Sequence, residues 1–104
     1  MIVYSAAGEP ARLLHPEDFR SFKAVFGRHL RPPEIRLAAL AGIAEFISDN
    51  AVWVSRAWVL QASGLEESVE WRAGFEKMLN FATKQGWIRQ SDGAIQAHVE
   101  WSDT

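Results

Sequence analysis

Residues 55–101 read SRAWVLQASGLEESVEWRAGFEKMLNFATKQGWIRQSDGAIQAHVEW. Ser55 is placed to cap a short helix over Arg56 to Ser63, because its hydroxyl can accept from the free amides of the first turn, and Gly64 supplies the left-handed residue that ends it. Leu65-Glu66-Glu67-Ser68 leads into a longer helix. At about 100° per residue, Trp71, Phe75, Met78, Leu79 and Ala82 share one arc of it, and Arg72, Glu76, Lys77, Asn80, Thr83 and Lys84 share the other. Gly86 closes this helix. Beyond it, Trp87 to Gln90 and Ala94 to Trp101 alternate about Ser91-Asp92-Gly93, which predicts a β-hairpin. Ile95, Ala97, Val99 and Trp101 fall on one side of its second strand, with Gln96, His98 and Glu100 on the other.

Upstream, Ala51-Val52-Trp53-Val54 is a short β-prone run able to pair with that hairpin. Before it, Ile35, Leu37, Leu40, Ile43, Phe46 and Ile47 are interleaved with alanines, so Glu34 to Ser48 predicts a helix apolar over most of its circumference, suited to the middle of the core. Arg36, near its start on the apolar side, should snorkel outward or pair with a carboxylate. His15-Pro16-Glu17-Asp18 has the form of a helix start, with proline at the first position and two carboxylates where the helix dipole favours them. Phe19, Phe22, Phe26 and Leu30 would then share one face, opposite a basic stripe of Arg20, Lys23, Arg28 and Arg31. Ile2-Val3-Tyr4 could form an edge strand, but Ala6-Ala7-Gly8-Glu9-Pro10 interrupts it, so residues 1–14 read as an arm.

With 104 residues, 48% of them apolar, the chain has the size and composition of one globular domain spanning 1–104. It contains no cysteine, which excludes disulfides and thiolate metal sites. His15, His29 and His98 lack metal-ligand spacing, and there is no glycine-rich phosphate loop or nucleophile elbow. No enzyme activity, catalytic residue, cofactor or metal is therefore expected. No apolar run approaches the roughly 18 residues of a membrane helix, and Met1 to Tyr4 has neither the length nor the basic flank of a secretory signal. The expectation is a cytoplasmic protein without a membrane partner. The formal charge of -2 is uneven: residues 1–64 carry seven Lys and Arg against six Asp and Glu, and residues 65–104 carry four against seven.

In the order and kind of their elements, residues 55–101 resemble the winged helix-turn-helix superfamily. Ala62-Ser63-Gly64-Leu65 stands at the turn, Phe75, Met78 and Leu79 line the long helix, Gly86-Trp87-Ile88 follows it, and Asp92-Gly93 lies at the wing tip. The resemblance implies a mainly α fold with a small β-hairpin. Residues 34–101 would be its core, with an extra N-terminal amphipathic helix at 15–31. It also implies double-stranded DNA as partner and transcription regulation as role, the long helix entering the major groove. Arg72, Lys77, Asn80, Thr83 and Lys84 would then meet the groove, with Arg89 and Ser91 at the wing. The residues themselves raise an alternative. Glu66, Glu67 and Glu70 crowd the end of the helix that would face phosphate, and Trp53 and Trp101 are hard to bury in so small a domain, which suits a protein-interaction module or homodimer. The basic stripe would serve either partner.

Overall fold

The computed structural model describes residues 1–102. A six-stranded mixed sheet forms its frame, in the order β2-β1-β3-β6-β5-β4, from β1 Ile2–Ser5, β2 Arg12–Leu14, β3 Lys23–Gly27, β4 Ala44–Ser48, β5 Ala51–Val54 and β6 Ile95–Ser102. The central strands β1, β3 and β6 run parallel, while β2, β5 and β4 are added antiparallel at the flanks. Three α-helices complete the described residues: α1 Pro33–Ala39, α2 Arg56–Ser63 and α3 Val69–Lys84. The fold is therefore α/β, which corrects the mainly α, winged-helix expectation.

Period-two alternation places one row of side chains inward along every central strand. Val3, Ala24, Phe26, Val52, Val54, Ile95, Ala97 and Val99 are buried on that side, in one cluster with Val59 of α2 and Trp71, Phe75 and Leu79 of α3. Both helices end as their local chemistry dictates. The Ser55 hydroxyl accepts from Trp58 N, Gly64 ends α2 at φ 69°, and the Ser68 hydroxyl accepts from Trp71 N. The apolar arc read from the wheel is the arc that α3 buries. Each of its large side chains contributes about 1.5–3 kcal/mol of transfer free energy.

Four expected segments differ: one helix is absent, one is shortened, the arm is ordered as strands and the hairpin is reduced. The helix over 15–31 is instead a loop, the strand β3 and a short 3-10 turn over Arg28–Leu30. The Phe19–Leu30 spacing that fits a helix contains a second pattern, Ala24 and Phe26 inward with Lys23 and Val25 outward. Strand partners on both sides, β1 and β6, select that pattern. The arm likewise became β1 and β2. The helix over 34–48 stops at Ala39, and Gly42 turns the chain at φ 75° into β4. α1 buries none of its residues and leaves Leu37 81% exposed, so it is no core helix. Of the hairpin, only β6 is a full strand; its other arm is reduced to an Ile88–Ile95 bridge, with the Arg89 amide donating to the Ala94 carbonyl. The two edges of β6 are taken by β3 and β5, leaving Ile88 only the stretch beyond the end of β3.

Candidate interaction surface

The residues that alternate away from the helices make a second face of the sheet. One register row crosses all six strands as Leu14, Ile2, Lys23, His98, Ala51 and Ser48. The next carries Arg12, Tyr4, Val25 and Glu100, and on the other flank Gln96, Trp53 and Glu45 lie side by side. Ile2, Tyr4, Leu14, Val25 and Trp53 are half-buried, yet none belongs to the core cluster or to the hydrophobics packed against it. This face has no helix over it.

Its charges are ordered by cross-strand contact. Lys23 Nζ lies 3.2 Å from Glu100 Oε2, and the Arg12 guanidinium stands 5.3 Å from the Tyr4 ring centre. At the β4 end Arg89 sits 5.6 Å from the Trp53 ring centre and donates to Asp92 at 2.6 Å and to Glu45 at 3.2 Å. Those Arg89 hydrogen bonds, followed by the Ala94 amide, draw the Asp92 carboxyl down to about 2, while the two carboxylates push the Arg89 guanidinium up. A cleft of about 380 Å³ opens beside this cluster, lined among others by Arg56, whose Nε donates to the Gly93 carbonyl. Each Arg in the cleft has an acceptor within the chain.

The residues expected to read DNA do not form a wing and recognition helix. Arg72, Lys77, Asn80, Thr83 and Lys84 do lie exposed along the outer side of α3. However, Arg72 donates to the Glu66 carbonyl and the Thr83 hydroxyl to the Leu79 carbonyl. Arg89 is held by its two carboxylates on the sheet side, and Ser91 lies exposed in the adjoining loop. The basic stripe is dispersed because its helix is not there. Arg20 pairs with Asp18, Lys23 stands on the open face, Arg28 is exposed in the 3-10 turn, and Arg31 lies 4.5 Å from the Trp101 ring centre. The two tryptophans proposed as an interface separate: Trp53 stands on the open face, while Trp101 turns inward, stacked on Phe46 with ring centres 5.9 Å apart.

Pairing register and tertiary contact place several side chains where residue type alone does not. Tyr4, Val25 and Arg12 went unremarked as surface residues because the rows that join them need pairing partners far away in sequence. Arg36 does pair with a carboxylate, Asp49 at 3.0 Å, but its guanidinium also lies 4.0 Å from the Phe46 ring centre and donates to the Leu30 and Arg31 carbonyls. It turns inward while the leucine beside it faces solvent.

For chemistry, the buried Ser5 hydroxyl lies 3.3 Å from His29 Nε2, but Ser5 is only 5% exposed and His29 Nδ1 has no partner. Such a pair lacks both the orienting acid and the access that a nucleophile needs. Among the described residues no group of three or more His, Asp or Glu is placed to hold a metal. No described helix is long and apolar enough to cross a membrane. Compared with known family models, curated proteins and solved structures, the chain matches none.

Proposed function

We propose that this chain is a protein-interaction module that docks a partner protein through the uncovered face of its sheet. The observation that carries the reading is that face itself: Ile2, Tyr4, Leu14 and Val25 lie on the adjacent strands β2, β1 and β3, Trp53 stands further along the same face on β5, and among the described residues none of the five joins the core cluster. Sheets of this kind bury one face on helices and leave the other to water or to a partner, and an open face bearing Tyr and Trp favours the partner. The charge balance supports a protein rather than nucleic acid. The net charge is -2, Glu66 and Glu67 precede α3 and Glu70 and Glu76 stand on it beside its donors, and Arg20, Lys23, Arg36 and Arg89 already pair with carboxylates.

Hydroxyl-radical labelling of Tyr4 and Trp53, compared between the native cell and dilute purified protein, tests this. The expected result is protection of both side chains in the cell, lost in a Val25→Glu variant that stays folded. Equal labelling in both settings would remove the reading. So would duplex DNA binding at low salt that falls steeply with added salt and is abolished by exchanging Lys77 and Lys84 for Gln.

A further inference from the structure

We infer that the cleft enclosed by the start of α2, the start of β4 and the loop from Arg89 to Ala94 binds a small organic carboxylate through the Arg56 guanidinium. This site is separate from the partner-docking reading above and does not rest on it. The cleft measures about 380 Å³, within the roughly 300–1,000 Å³ of small-molecule pockets.

Arg56 is seated before any ligand arrives. It is the first residue of α2, it is half-buried, and its Nε donates to the Gly93 carbonyl at 3.1 Å. A Cβ on Gly93 would lie 3.1 Å from Cζ and 3.2 Å from Nη2, so the missing side chain leaves the guanidinium its place against the loop. Among the described residues neither Nη of Arg56 has an acceptor, and no carboxylate pairs with it. A guanidinium fixed at Nε with its outer fork open is preorganised for a planar acceptor with two oxygens.

The neighbouring groups decide which anion fits. Arg89 is the other cation of the cleft, and Glu45 and Asp92 already engage it at 3.2 and 2.6 Å. With Arg56 as the cation left uncommitted, the cleft neutralises one negative charge. A second charge, as on a phosphate monoester, would face Glu45 and Asp92 with nothing to offset it. Much of the remaining lining is apolar, from Ile43, Ala44, Ala57 and Ala94, with Trp53 at its border. That chemistry matches a monocarboxylate on an apolar or aromatic body, whose surface replaces water along those walls.

Titration of the whole chain with benzoate and with naphthoate, followed by NMR, tests the site. The Arg56 Nε–H resonance and the Ala57 and Ala94 amides should shift together and saturate with a Kd of about 1 mM. Benzamide keeps the ring without the charge, and phenyl phosphate adds a charge; each should bind roughly 10-fold more weakly or worse. Arg56→Gln should lose roughly 10-fold in affinity, and Arg56→Lys should recover only part of it, since an ammonium cannot offer the fork. Ala57→Leu, at an exposed position on the cleft wall, should block binding while leaving Arg56 in place. Amide spectra unchanged outside the cleft show that each variant is folded. The absence of a saturable shift with either acid overturns the site. Binding that survives both Arg56→Gln and Ala57→Leu overturns it as well, and phenyl phosphate held as tightly as benzoate overturns the assignment to a monocarboxylate. Protection of Tyr4 and Trp53 in the cell, which tests the docking reading, is decided separately.

Discussion

Arg36 illustrates how one side chain can reverse the polarity of an element. Its guanidinium donates to Leu30 O at 2.7 Å and Arg31 O at 2.9 Å, pairs with Asp49, and lies over the Phe46 ring. Arg36→Ala strands two carbonyls and removes the cation from the ring, so it should cost about 2–3 kcal/mol in urea unfolding. Arg36→Lys should recover less than half of that loss, because an ammonium cannot make the planar, forked contact. Gly74 presents the opposite case. A Cβ there would lie 2.5 Å from Phe19 Cε2, whose ring packs on Trp71 with centres 6.0 Å apart. Alanine gains about 1 kcal/mol of helix propensity but must displace that ring, so Gly74→Ala should lower stability by about 1–2 kcal/mol. In a Phe19→Ala background the same change should become neutral or stabilising, and a double-mutant cycle reads the difference. Neither contact could be read from residue types alone, since each joins residues that are neighbours only after folding.

Among the elements, α2 was legible down to its caps and α3 in its extent and buried arc, because a helix satisfies its hydrogen bonds within one segment. Ser55 and Gly64 act where their chemistry placed them, and the Ser68 hydroxyl caps α3 in the same way. The hairpin was half legible: the alternation of β6 and the turn at Gly93 were readable, but its neighbours were not. The loop between has a signature in acid. Asp92 is held near 2 in the folded chain against its ordinary value of 3.8, chiefly by Arg89. A depressed folded value means that the unfolded chain takes up the proton first. The stabilisation is therefore full above about 3.8 and lost as pH falls toward about 2. Asp92→Asn should remove this part of the acid slope, measured as the urea midpoint from pH 5 to 2, and leave the neutral-pH slope unchanged.

For the whole molecule, the parallel trio β1, β3 and β6 joins segments more than twenty residues apart at its closest pairing and more than seventy at its farthest. Amides of β3 and β6, paired on both sides and backed by the buried face, should exchange slowest with deuterium, and those of α1, which buries nothing, should exchange fastest among the helices. Exchange in β3 as rapid as in α1 would contradict this placement. The local chemistry of the chain settled the two capped helices, the buried arc of α3, the alternation of β6 and the absence of thiol chemistry. The strand at 23–27, the break at Gly42, the inward turn of Arg36 and the bare face of the sheet arose only in the folded molecule. A helix finds its hydrogen-bond partners four residues away, whereas a strand takes them from distant segments, and a face is apolar or bare only relative to what the rest of the chain lays upon it.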